Sequence, residues 1–451
     1  MPTIALLGTC NTKLSELLYL RSQILLHPST TVLLIDVGRH PVSHPSITFG
    51  PPDLLLHYAK EEEMDMQSLQ SLPRNQLVQL MSRLCTSHIQ SLFSRQTIHG
   101  IVSLGGSNAT SLAAPVMRNA LPIGFPKLMV STVASGDTGP YVGETDITMM
   151  YSVVDVAGLN EVLRGVLGNA AGAVVGMANA YERRRIREGA ESGRKIGEGR
   201  EKEEKEKKEK KKARVGITMF GVTTPSVDAI RQYLESKYPG VIETMVFHAT
   251  GHGGKAMERL VRAGELDAVI DLTTTELADE LVGGVMSAGP DRMRAAVGKG
   301  IPYIVSLGAL DMVNFGPPGT VPERFRSKDA NERKLYEHNP TVTLLRTSVE
   351  ECREIGRRMC ERLLEGGDAS KIQVWIPKGG LSMLSVAGAP FEDRDADEAL
   401  FQTVREGLKG SGILVKDDER HVNDKGFAHD VAEAMAKLLG LSNGQQIYRP
   451  T

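Results

Sequence analysis

The chain has 451 residues, 41% hydrophobic and 5% aromatic, with 46 glycines and a formal net charge of −2. That length exceeds what one hydrophobic core usually serves, so two domains are expected. The composition excludes a fibrous, disordered or disulfide-built chain, and so few aromatics make nucleic acid an unlikely partner, since bases stack on such side chains.

Cys10, Cys85, Cys352 and Cys360 show no C-x-x-C spacing, which argues against a zinc site or a disulfide frame. They read as reduced thiols, Cys352 and Cys360 half-buried on a helical pattern, and point to a cytoplasmic protein. The opening "MPTIALLGTC" lacks the basic flank and apolar length of a signal peptide. No apolar run suits a membrane span either. The longest candidate, residues 153–181, carries Asp155, Asn160, Glu161 and Arg164 and reads as a buried helix.

In chain order, "TIALLG" is read as a strand, "TKLSELLYLRSQILL" as a helix and "TVLLIDVG" as the next strand. "HGIVSLGG" leads into the helical "SLAAPVMRNA", and "PKLMVSTVAS" follows. Residues 182–214 then hold 15 Lys/Arg against 9 Asp/Glu, a local balance of +6 that leaves −8 on the rest. This stretch has no apolar face and is read as a disordered or frayed linker over residues 182–213 without a catalytic role.

The rhythm then returns. "RVGITMFG" precedes "PSVDAIRQYLES", "ETMVFHATG" precedes "KAMERLVRAG", "LDAVIDLT" precedes "TELADELVGG", and "IPYIVSLGAL" follows. Short, almost wholly apolar strands between amphipathic helices define an α/β protein with parallel sheets covered on both faces. Two doubly wound α/β domains are therefore expected, at residues 1–181 and 214–451.

In such sheets ligands bind beyond the carboxyl ends of the strands, at the point where strand order reverses. The first loop to inspect is "GTCNTK", with Gly8, Thr9, Asn11, Thr12 and Lys13; it is either an ordinary helix cap or an anion site. The second is "GGSNAT", where Gly105 and Gly106 admit a ligand to the backbone and Ser107, Asn108, Ala109 and Thr110 open a helix. The third, residues 131–146, begins with Ser131 and Thr132 and is longer than a turn requires. Its Asp137, Glu144 and Asp146 are oxygen ligands suited to Mg2+ beside a phosphate, or else solvated surface acids. Asp36, ending "VLLID", is a candidate for a ribose hydroxyl, although no G-x-G-x-x-G precedes it.

In the second half, "HATGHGGKA" fails as a P-loop, because Ala249 stands at its first glycine position and Ala256 follows Lys255. His252 and Lys255 remain weak catalytic or anion-holding candidates, against the alternative that these glycines only permit close packing. A threonine of "DLTTTE" is expected to cap the helix carrying Glu276. "FEDRDADEALF" reads as an acidic first helical turn. No G-x-S-x-G occurs, so an α/β-hydrolase elbow is excluded.

Taken together, "GTCNTK", "IDVG", "GGSNATS", "FHATGHGGKAMERL", "DLTTTELADEL", "NPTVTLLRTSVEE" and "PFEDRDADEALFQTVRE" resemble the ATP-binding family of the plant tomato mosaic virus resistance protein. The resemblance spans nearly the whole chain apart from the charged insert. It implies two Rossmann-like halves, ATP with Mg2+, a homodimer and, as in plant members, contact with a protein partner. The family pattern carries Asp at Asn11, Gly–Glu at Leu14–Ser15, and glycines at Asn108 and Ala109. The barrel chemistry of the plant members' further C-terminal domain is not expected of this chain. The resulting expectation is a Mg-nucleotide held by the loops of the first half. The alternative is an enzyme acting on a small phosphorylated or acidic substrate, a sugar acid or acyl compound, between the halves.

Overall fold

The computed structural model describes residues 1–59, 64–193, 212–326 and 333–441, with backbone alone for 188–193. The chain divides into two compact units, Met1–Gly199 and Arg200–Thr451. Most of the charged stretch, residues 194–211, lies outside the described residues. The helix Glu161–Gly193 runs past the boundary expected at residue 181.

The first unit is built on a six-stranded sheet in the order β3-β2-β1-β4-β5-β6. Its strands are β1 (Thr3–Gly8), β2 (Thr31–Asp36), β3 (Ile47–Phe49), β4 (Gly100–Gly105), β5 (Lys127–Ser131) and β6 (Thr148–Tyr151). Every pairing is parallel. β1 shows why its sequence is nearly all apolar: Ala5 and Leu7 enter one core cluster, while Ile4 and Leu6 enter the other. A strand buried on both faces leaves little room for a polar residue that is not itself paired. Helices Cys10–Leu25 and Glu161–Gly193 cover one face, and Arg74–Ser94 and Ser107–Ala120 the other. The doubly wound reading holds, but the helix expected from residue 153 begins only at Glu161. Val153 lies in a loop and is 57% exposed.

The second unit repeats the principle with β7 (Ala213–Met219), β8 (Ile242–His248), β9 (Ala268–Thr273), β10 (Tyr303–Gly308), β14 (Ile372–Pro377) and β15 (Leu414–Asp418). Their order is β15-β14-β10-β9-β7-β8, all parallel. Between β10 and β14 the chain adds an antiparallel sheet of β11 (Met312–Phe315), β12 (Leu335–Asn339) and β13 (Val342–Arg346). All four cysteines are free and buried, so Cys352 and Cys360 go deeper than the half-buried positions their pattern suggested. Among the described residues no helix is long and apolar enough to cross a membrane.

Candidate functional site

The first sheet reverses its winding at β1, since β2 lies on one side of it and β4 on the other. Beyond the carboxyl ends of these strands lies a pocket of about 570 Å3. Thr9, Asn11, Thr12 and Lys13 reach it from the start of one helix, and Gly106, Ser107, Asn108, Ala109 and Leu112 from the start of another. Val37, Arg39 and His40 follow β2, and Arg74, Leu77 and Val78 open the helix Arg74–Ser94, while Asp155 follows β6. Three helix N-termini thus border one opening.

Gly106, at the N-cap of Ser107–Ala120, supplies no side-chain cap, whereas the first N–H of Cys10–Leu25 is already taken by the Asp36 carboxylate. First-turn N–H groups without an intrachain cap attract anions. Arg74 occupies the first position of its helix, where a cation opposes the helix dipole unless an anion sits nearby. Among the described residues, the basic side chains of Lys13, Arg39 and Arg74 line the pocket against one acid, Asp155. Two of them are also tethered: Lys13 Nζ donates to the Val156 carbonyl and Arg39 Nη1 to the Gln70 carbonyl. Lys13 leaves helical geometry, with φ −135° and ψ 24°, which kinks the helix at the pocket wall.

Other expected residues serve the loops from inside. Asp36 is fully buried, and its Oδ1 accepts the N–H groups of Cys10 and Gly38, both at 2.9 Å. It clips the loop after β1 to the loop after β2 and does not line the pocket. Burial holds its carboxyl above the ordinary range, and burial together with Asp36 pushes the Cys10 thiol up to about 12. Thr110 and Ser131 share a buried hydroxyl hydrogen bond of 2.7 Å, tying the end of β5 to the helix start. Gly8 and Gly105 are buried at strand ends, and Thr132 begins the short turn Thr132–Ser135. None of these lines the pocket.

The three carboxylates expected to hold metal are not gathered there either. Asp146 pairs with Lys127 at 2.6 Å and accepts the Gly124 N–H at 2.7 Å. Asp137 accepts the Gly139 N–H at 2.9 Å, and Glu144 is half-buried beyond the pocket lining. Among the described residues no three His, Cys, Asp or Glu side chains stand together as a metal-ligand group. Sequence reading missed Arg39, His40, Arg74 and Asp155. For Arg39 and His40 a signal existed, since "DVGRH" continues directly from a strand end.

In the second unit His252 is exposed at the first position of the helix His252–Arg262, and Lys255 is half-buried in its first turn. The anion at this glycine-rich start is supplied by the chain itself. Glu276 Oε1 accepts the N–H of Gly251 at 2.7 Å and of Gly254 at 3.1 Å. A Cβ at Gly253 would stand 1.8 Å from the His248 carbonyl oxygen, and one at Gly254 2.0 Å from Glu276 Oε2. These glycines therefore answer to packing. Arg292, 1% exposed, bonds Glu276 at 2.6 Å and Asp271 at 2.5 and 2.6 Å, and Tyr303 donates to Asp271 at 2.8 Å. Burial raises the Glu258 and Glu276 carboxyls against the lowering pull of Arg292. The threonines before Glu276 do not cap by side chain; Thr274 Oγ1 bonds the Ser306 carbonyl instead. In "FEDRDADEALF", Asp393 caps the helix Arg394–Gly407 and Asp397 is buried against Arg346 at 2.6 Å.

Fold and pocket together define a protein of two doubly wound α/β units, the first carrying a cationic pocket at its switch point. Residues 2–183 match the family model described as "Uncharacterised protein family (UPF0261) N-terminal domain", and residues 212–439 match the corresponding C-terminal domain. The chain belongs to this family. A "UPF0261 protein" of Clostridium tetani is 39% identical over 442 residues, covering 97% of this chain and 98% of that protein. The "ToMV resistance protein Tm-1(GCR237)" of Solanum lycopersicum is 35% identical over 461 residues, covering 97% of this chain but 56% of the tomato protein. Among solved structures, a UDP-GlcNAc 2-epimerase from Neisseria meningitidis bound to UDP-GlcNAc is 11% identical. Its match covers 68% of this chain and 82% of that one, at a TM-score of 0.19.

Proposed function

We propose that the first unit is a nucleotide-binding module whose ligand is ATP, with the phosphates held where the helices Cys10–Leu25 and Ser107–Ala120 begin. The observation that carries this reading is the convergence of three helix N-termini, that of Ser107–Ala120 without a side-chain cap, and of the side chains of Arg39 and Arg74 on one switch-point pocket. Val37, Leu77, Val78 and Leu112 give the same pocket an apolar wall for a base. ATP in particular is suggested by the family resemblance in the loop sequences. Mg2+ keeps most of its shell as water and phosphate oxygen and needs only one or two protein carboxylates. Among the described residues Asp155 is the one carboxylate in the pocket lining, and it takes that part in place of Asp137, Glu144 and Asp146. The reading is one of binding, with no chemical step attached.

Isothermal titration of the full chain with Mg-ATP tests it. Hydrogen bonds to charged groups contribute about 1.5–3 kcal/mol each. The Arg39→Ala, Arg74→Ala double variant should therefore weaken binding by at least about tenfold. Arg394→Ala, on an 85% exposed side chain of the second unit, should leave it unchanged. Equal affinity in the double variant and the parent would refute the assignment.

A further inference from the structure

The second unit carries a smaller pocket of about 200 Å3 at the carboxyl ends of β7 and β8. Its floor is apolar: Phe220, Val222, Met286, Val342 and Leu344. Its remaining side chains are His248, Thr250, His338 and Asn339, and among the described residues no acidic one lines it. Such a volume holds about seven groups of water size, enough for a short aliphatic or single-ring body.

Two further observations point to a ligand. First, pairing between β12 and β13 slips between Glu337 and Asn339, which leaves His338 at a bulge. Bulges recur beside ligand sites because they re-aim a side chain. Asn339 Oδ1 already accepts the N–H and hydroxyl of Thr341, at 2.9 and 2.8 Å, so its NH2 is the end left to donate. Second, Ala309 is fully buried at φ +57°, in the same small cluster as Val222 and Leu344. A non-glycine residue held there costs about 1–3 kcal/mol, and such strain gathers at ligand sites.

We propose that this pocket binds a small monocarboxylic acid, its hydrocarbon body on the apolar floor and its carboxylate at His248, His338 and Asn339. Imidazole N–H groups and the Asn339 NH2 can all donate to an anion, no carboxylate opposes it among the described lining residues, and the floor requires an apolar body behind it. The site belongs to the second unit and stands apart from the nucleotide reading of the first.

The test is calorimetric titration of the full chain with 4-methylpentanoate, its neutral amide, and acetate. The acid should bind saturably, with the amide and acetate each at least tenfold weaker. Val342→Phe and Met286→Trp each enlarge a half-buried lining residue, so each should cut affinity for the acid at least tenfold with the melting temperature retained. The His248→Gln, His338→Gln variant, on two exposed side chains, should shrink the preference for acid over amide. Equal binding of acid and amide would overturn the carboxylate assignment, and equal binding of acetate the apolar one. Full affinity in both filled variants would place binding elsewhere. No saturable binding of the acid by the parent would end the proposal.

Discussion

The Glu276 carboxylate caps the helix His252–Arg262 from within the chain, accepting the N–H of Gly254 at 3.1 Å while its other oxygen meets Arg292 at 2.6 Å. The glycine-rich turn therefore binds an anion, as its sequence suggests, but the anion is a side chain. Removing one partner from a buried ion pair strands the other charge and costs about 3–5 kcal/mol. Glu276→Ala should accordingly lower the melting temperature by roughly 10 °C. Glu419→Ala, which breaks a pair whose acid is 82% exposed, should stay within about 1 kcal/mol of the parent. A Glu276→Ala protein melting with the parent in calorimetry would dismiss the capping role.

Asp279 gives the second unit a pH dependence. It is fully buried and accepts the N–H groups of Met286 and Asn314 at 3.1 Å and the Asn314 amide at 2.7 Å. Burial pushes its carboxyl up to about 7. A carboxyl raised in the folded state keeps its proton longer there than in the unfolded chain. Its stabilising effect is complete below the unfolded value of about 3.9 and is lost as pH rises toward 7. Asp279→Asn should remove that part of the decline. The new amide can pair with Asn314 Oδ1, which has no partner in the parent, once the Asn314 amide turns over. Denaturant melts at pH 4.5 and 7.5 measure the slope; an unchanged slope in the variant contradicts the assignment.

The two glycines of "GGSNAT" should behave differently. Gly105 sits at φ +148°, and a Cβ there would stand 2.5 Å from Ala109 Cβ. Gly106 is extended, at φ −87° and ψ −162°, and its Cβ would meet Thr132 Oγ1 at an ordinary 3.5 Å. Gly105→Ala should cost more than about 1 kcal/mol, because the native conformation is wrong for any side chain. Gly106→Ala should fold with near-parent stability and so isolate effects on ligand binding. Matched stabilities in urea melts would show that the first glycine is not conformationally required.

These contrasts show what the sequence could disclose. Strands such as "TIALLG" were legible because burial on both faces makes most positions apolar, and strand-end loops were legible because glycine and small polar residues interrupt apolar runs. Distance along the chain concealed the rest. Arg74 and Asp155 meet Thr9 only through the winding of the sheet, and no local pattern marks either one. Arg292 lies in "GPDRMRAA", which reads as a surface loop, yet it is the buried centre of an ionic cluster. Asp137, Glu144 and Asp146 looked like metal ligands by composition, but local hydrogen bonds hold the two aspartates separately.

Val153 is a β-branched residue at φ +65°, 57% exposed, in a turn where the Val154 N–H reaches the Ser152 carbonyl at 2.7 Å. A three-residue turn of this hand is strained, and the exposed side chain adds little packing to offset it. Val153→Gly should relieve about 1–3 kcal/mol of strain, less about 0.4–1 kcal/mol for the greater freedom of glycine in the unfolded chain. The net expectation is stability equal to or above the parent. The same turn leads into Asp155, in the pocket lining, and Val156, whose carbonyl holds Lys13. If the strain positions those groups, the relaxed variant should gain stability while losing Mg-ATP affinity. Melting and titration on one sample separate the outcomes: a stabilised variant with full affinity makes the turn irrelevant to the pocket, and a destabilised one removes the strain argument.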